Sequence, residues 1–176
     1  IAELAPLVTA VSLSRSPAKG RVPLTPIQRW FFARFGSRAA DHFNQAVVLK
    51  ARQRLDPRIL REVLRGLQQH HDMLRARYRF DQRGVEQEVV DFEYPLSAEV
   101  ETVTGTEQVW KRASGMQASA NLERGPMLRA AIVQAPDADY LLLVVHHLVV
   151  DGVSWRILGE DLERACVQAL NGQPVA

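Results

Sequence analysis

Two adjacent histidines, His146 and His147, close an apolar run at residues 140–145, and Asp151-Gly152 follows four residues after the second. Successive side chains on a strand point to opposite faces, so only one of the pair can face a given cavity. An imidazole at the end of an apolar strand loses solvation for its charged form, which favours the neutral ring that accepts a proton. General-base chemistry near neutral pH is therefore open to one of them. The same residues also fit plainer roles, since a buried histidine can be a hydrogen-bonded core residue and an aspartate ahead of a helix can be its N-cap. A chelating pair needs i,i+4 spacing on a helix or i,i+2 on a strand, and the chain has a single cysteine, so the pattern argues against a metal site.

Further polar clusters could assist. His70-His71-Asp72 follows a helical pattern, where cations favour the helix dipole. Arg75, Arg77 and Arg79 alternate with Leu74, Ala76, Tyr78 and Phe80, so they share one strand face, and one of them could pair bidentately with Asp151. There is no Gly-x-Ser-x-Gly elbow, no phosphate-cradling glycine loop and no dinucleotide fingerprint.

The elements that must position these groups follow from capping and periodicity. Thr25-Pro26 predicts a helix start, with Ile27, Trp30, Phe31 and Phe35 at helical spacing. A strand is expected over 43–50, and Asp56-Pro57 opens a second helix with Ile59, Leu60, Val63, Leu64 and Leu67 on one face. The turn Asp81-Gln82-Arg83-Gly84 joins a hairpin that ends near Val90. A strand over 97–103, a helix over 106–122, strands over 127–133 and 140–146, and a last helix stopped by Asn171-Gly172 complete the order. This is an α+β lobe with a mostly antiparallel sheet and helices packed on it.

Composition fits a packed core: 176 residues, 47% hydrophobic and 24% charged, with 10 Gly and 9 Pro. The longest apolar run is far short of the ~18 residues a membrane-spanning helix needs, and the chain's start lacks a signal pattern. The expected compartment is the cytoplasm, where the lone Cys166 stays a thiol. Charge is uneven: residues 1–83 carry 16 basic and 6 acidic groups, and 84–176 carry 6 and 14. A basic face for nucleic acid is one reading of that split; halves that interleave and neutralise each other is the preferred one.

His146-His147-Leu148-Val149-Val150-Asp151-Gly152 resembles the His-His-x-x-x-Asp-Gly motif of the condensation-domain superfamily of nonribosomal peptide synthetases, relatives of chloramphenicol acetyltransferase. Pro23-Leu24-Thr25-Pro26-Ile27-Gln28-Arg29-Trp30-Phe31-Phe32 and Val153-Ser154-Trp155 resemble its epimerization branch more than its peptide-bond-forming members. His71-Asp72-Met73-Leu74-Arg75 is similar to the family's His-x-x-Leu-Arg segment, and Ile1-Ala2-Glu3-Leu4-Ala5 to the end of a carrier-domain helix.

The resemblance implies that residues 1–10 are the tail of a peptidyl carrier domain, 11–22 a linker, and 23–176 the N-terminal lobe of a two-lobed epimerization domain. Such a domain inverts the α-carbon of an aminoacyl or peptidyl thioester, L to D. No cofactor would be bound directly, because the substrate rides on the phosphopantetheine arm of a carrier protein. His147 is the expected catalytic base, with His146 turned into the core, Gly152 allowing close backbone approach and Trp155 packing the lobe. Arg75 is expected to hold Asp151, with Arg77 as the fallback. The second catalytic group, a glutamate, would come from the C-terminal lobe, leaving this lobe inactive alone and its inner apolar face exposed or self-associated. The alternatives are a condensation-domain fragment acting as an acyltransferase and a non-catalytic carrier-binding lobe.

Overall fold

Residues 17–36, 40–91 and 99–175 are described by a computed structural model. In chain order they form β1 (Gly20–Val22), α1 (Pro26–Phe35), β2 (Asn44–Lys50), α2 (Pro57–His70), β3 (Ala76–Asp81), β4 (Gly84–Val89), β5 (Glu99–Thr102), α3 (Glu107–Ala118), β6 (Leu128–Gln134), β7 (Asp139–His146) and α4 (Gly152–Leu170). The caps read from sequence are the ones used. Thr25 and Gln28 close a capping box on α1, and Asp56 caps α2 ahead of Pro57. None of the described helices is long and apolar enough to cross a membrane.

The strands divide between two sheets, where a single sheet was expected. One has the order β1-β4-β3 and is antiparallel; the other has the order β2-β7-β6-β5, with β5 and β6 parallel. The carrier-helix tail expected at 1–10 lies outside the described residues, as do residues 11–16. Gly20–Val22, placed in a linker by sequence, is a strand paired with β4. Its partners lie more than 60 residues away, so no local pattern announces it.

The second sheet is covered on both faces. Leu141, Leu143 and Val145 of β7 pack with Leu60, Val63, Leu64 and Leu67 of α2 and Leu158 and Leu162 of α4. Leu142 and Val144 pack on the other face with Val109, Ala113 and Met116 of α3. Burial on both faces explains why this strand is apolar throughout rather than alternating. A third cluster joins Phe31 and Phe32 of α1 to Tyr78 of β3, and Leu148 and Val149 rest against it. The loop carrying the histidines is therefore seated between the two sheets.

On α1 the apolar stripe differs from the expected one. Gln28, Phe31 and Phe32 are buried, whereas Ile27 is 67% and Trp30 57% exposed. The buried face follows Gln28 because its amide has partners inside the fold. The charge halves do interleave: Lys19–Asp91, Arg21–Glu86, Lys50–Asp137, Arg54–Asp139 and Arg79–Glu88 each join the basic half to the acidic one. In four of these pairs both partners are at least partly exposed, so they neutralise more than they stabilise; the exception is Arg54–Asp139, whose carboxylate is buried.

Candidate active site

His146 and His147 leave β7 in opposite roles. His146 is 3% exposed, and its Nδ1 accepts from the Leu148 N–H at 3.2 Å. An accepting Nδ1 carries no proton, so a neutral His146 is protonated at Nε2. His147 is half-buried, and its Nδ1 lies 2.7 Å from the Val150 carbonyl. A carbonyl can only accept, so this ring carries a proton on Nδ1, and its neutral form has the lone pair at Nε2. The expected division between a structural His146 and an outward His147 matches this geometry.

The surroundings of His147 are completed by residues to which the sequence alone assigns no role in the site. Gln45 of β2 places its amide nitrogen 3.0 Å from Nε2, and Trp155 of α4 donates its indole N–H to Gln45 Oε1 at 2.5 Å. Trp155 was expected only to pack the lobe; it also supplies this hydrogen bond. Phe43 stacks on the His147 ring, with centroids 4.8 Å apart and planes 12° from parallel.

The loop is anchored from α1. The Gln28 amide donates to the Leu148 carbonyl at 3.0 Å and to the Tyr78 hydroxyl at 3.2 Å, while its oxygen accepts from the Thr25 N–H at 2.9 Å. Burial holds the Tyr78 phenol well above its ordinary pKa, so it stays neutral beside that amide.

Asp151 caps α4. Its Oδ1 accepts from the Ser154 backbone N–H at 2.8 Å and the Ser154 hydroxyl at 2.7 Å, and these bonds hold the exposed carboxyl below its ordinary range. The expected Arg75 to Asp151 pair is not formed. Arg75 lies in a 3-10 turn, Asp72–Arg75, ahead of β3, so it leaves the strand alternation that would align it with Arg77 and Arg79. Its guanidinium donates to Asp72 at 2.7 Å, to the Gln68 carbonyl near the end of α2, and to the carbonyls of Val90 and Ala18. Arg75 is thus a buried clasp for the first sheet. Arg77, the fallback, lies beside Gly125, while the Asp151 carboxyl is taken up by Ser154. A Cβ at Gly152 would meet nothing within 4 Å among the described residues, which leaves the first turn of α4 open on that side.

His71 bonds Asp161 of α4 at 2.9 Å, and Asp161 also pairs with Arg164. With His70 these groups could meet around a metal ion, but Asp161 is already committed to two cationic or donor partners. A cavity of about 370 Å³ beside them reaches Val149 and Val150 of the loop and Ser154 of α4, and His147 does not line it.

The profile of the Condensation domain family matches residues 18–176. The chain belongs to the condensation-domain family. It is 39% identical over 165 residues to tyrocidine synthase 1 of Brevibacillus parabrevis, covering 89% of this chain and 15% of that protein. It is also 39% identical over 165 residues to bacitracin synthase 2 of Bacillus licheniformis, covering 89% and 6%. Among solved structures, the epimerization domain from the third module of tyrocidine synthetase B superimposes with a TM-score of 0.83 at 35% identity, covering 90% of this chain and 37% of that one. The first condensation domain of the CDA synthetase gives 0.73 at 19% identity, covering 92% and 43%, which shows a shared fold. The α+β architecture is thus the chloramphenicol acetyltransferase-like fold, and this chain spans well under half of the domains it matches.

Proposed function

We propose that the chain is the N-terminal lobe of an epimerization domain of a nonribosomal peptide synthetase, with His147 moving the α-proton of a carrier-bound aminoacyl or peptidyl thioester. The observation that carries this reading is the 35% identity and 0.83 TM-score with a tyrocidine synthetase epimerization domain, whereas the condensation domains reach 16–20% and speak to fold alone. The residues 23–32 and Val153-Ser154-Trp155 support the same branch.

The chemistry is compatible with the geometry. A thioester acidifies the adjacent α-carbon, and a neutral His147 has at Nε2 the lone pair that takes that proton once the Gln45 amide gives way. Inversion needs a proton delivered to the opposite face, and the glutamate implied by the resemblance would supply it from the other lobe. The substrate would arrive on the phosphopantetheine arm of an upstream peptidyl carrier domain, with no cofactor held by the lobe itself. His146 and Gln28 then keep the loop in place, and Asp151 starts the helix behind it.

The match to the condensation-domain family as a whole favours a second reading, a fragment of a peptide-bond-forming condensation domain. The two separate in deuterated water. Full-length protein given an L-aminoacyl-loaded carrier is expected to place deuterium at the α-carbon, and His147→Ala to slow that exchange by roughly 10²-fold or more. Peptide bond formation without deuterium uptake would establish the condensation reading, and carrier binding with neither reaction a non-catalytic lobe.

A further inference from the structure

We infer that Trp155 and Gln45 act as a fixed hydrogen-bond relay that keeps His147 neutral, with its proton on Nδ1 and its lone pair on Nε2. Neither residue touches the reacting atoms; both are positioning residues.

The inference follows from which groups can only donate. An indole N–H has no acceptor, so the atom of Gln45 that meets Trp155 must be the oxygen. That fixes the amide's orientation, which a side-chain amide in isolation would leave open. The nitrogen of Gln45 then faces His147 Nε2 at 3.0 Å, and an amide N–H needs a lone pair there. On the other side of the ring, the Val150 carbonyl needs a proton on Nδ1. Both neighbours specify the same tautomer.

The relay also opposes the charged ring. A protonated Nε2 would set its N–H against the Gln45 NH₂, and turning the amide over to relieve this would break the bond to Trp155. The nearby Asp151 carboxylate interacts electrostatically with His147. Phe43, stacked on the ring, restricts its rotation. The register of β2 makes the arrangement possible: Gln45 is opposite Val145, and His147, two residues on, lies on the same face. If His147 is the base proposed above, the Gln45 N–H must give way at Nε2 before substrate reaches that lone pair, and a proton taken there then meets an unfavourable neighbour and is readily given back. That consequence rests on the proposed function; the protonation state does not.

The test is nitrogen NMR of full-length protein labelled with ¹⁵N-histidine, at neutral pH, with His147→Gln to assign the signals. The parent is expected to show one protonated nitrogen, Nδ1, and one bare nitrogen, Nε2. Gln45→Glu is isosteric and replaces the donor by an acceptor, so both nitrogens should become protonated; α-proton exchange should then lose about tenfold or more in kcat with KM little changed. Trp155→Phe frees the amide to turn, and a loss of the single tautomer is expected. A parent ring protonated at Nε2, or a Gln45→Glu ring that stays neutral, overturns the relay, and the parent result stands even where Gln45→Glu fails to fold. The expected tautomer without any deuterium uptake would overturn the epimerase reading and leave the relay standing.

Discussion

Replacing Gln28 by leucine preserves most of the volume of a side chain that is 4% exposed while removing the amide that joins three parts of the fold. The Leu148 carbonyl and the Tyr78 hydroxyl each lose a donor, and the Thr25 N–H loses its acceptor in the capping box. At about 1 kcal/mol or more for each group left without a partner, the gross cost is about 3 kcal/mol. Apolar gain from the leucine offsets part of this, leaving about 2 kcal/mol, or a fall in Tm of about 6 °C for a chain of this size. Urea denaturation followed by circular dichroism measures it, provided the slope is unchanged. The second variant, Gln28→Leu with Tyr78→Phe, should recover about 1 kcal/mol of the loss because the orphaned hydroxyl is gone. A loss below about 0.5 kcal/mol, or a double variant that is simply additive, would refute the view that this amide ties the motif loop to α1.

Asp139 is fully buried and accepts from the Leu55 N–H at 2.8 Å and from Arg54, so Asp139→Ala is expected to cost about 1–3 kcal/mol in urea denaturation, and Asp139→Asn less. A cost near zero would show that water replaces those bonds. At Asp151 the folded carboxyl sits below its ordinary range because it accepts from Ser154. Its capping contribution is therefore complete above the ordinary aspartate range and is lost as the pH falls through the folded value. Amide exchange at Ser154 should accelerate relative to its intrinsic rate in that acid window, and Asp151→Asn should remove the pH dependence; protection unchanged in acid would contradict the cap.

What the sequence made legible was local chemistry. Thr25-Pro26, Asp56-Pro57 and Asn171-Gly172 mark helix ends because a cap needs only residues within a turn of it. The hairpin turn at Asp81 to Gly84 and the apolar β7 follow from equally short patterns. Contacts between distant segments were out of reach. Gln45 carries no mark of its role, since its partners Trp155 and His147 lie 110 and 102 positions away. The Arg75 pairing, carried over from the family resemblance, failed for a different reason: Arg75 sits in the 3-10 turn between α2 and β3, where Asp72 and nearby carbonyls take its guanidinium. That His146 and His147 diverge follows from strand alternation at the end of β7, while the assignment of His147 as the outward one comes from the resemblance to the condensation-domain motif.

The position of His147 depends on strand register more than on the motif that names it. A loop just past a strand end has few contacts of its own and opens cheaply unless it is tied down. Here the ties come from four elements: Gln28 of α1 holds the Leu148 carbonyl, the Met127 carbonyl ahead of β6 accepts from the His146 N–H, the Phe43 carbonyl ahead of β2 accepts from the His147 N–H, and α4 begins at Asp151. Of these, β2 is the one whose alignment could slip, because it is an edge strand. Val48 packs against the α3 cluster, and Asn44 donates to the Gln117 carbonyl at the end of α3, so the even-numbered residues of β2 are committed to that face. A slip of one residue would expel Val48 and turn Gln45 away from His147 in the same step. The packing of β2 on α3 and the protonation state of His147 are therefore set by one register, which places the origin of the site's chemistry in the hydrophobic core behind it.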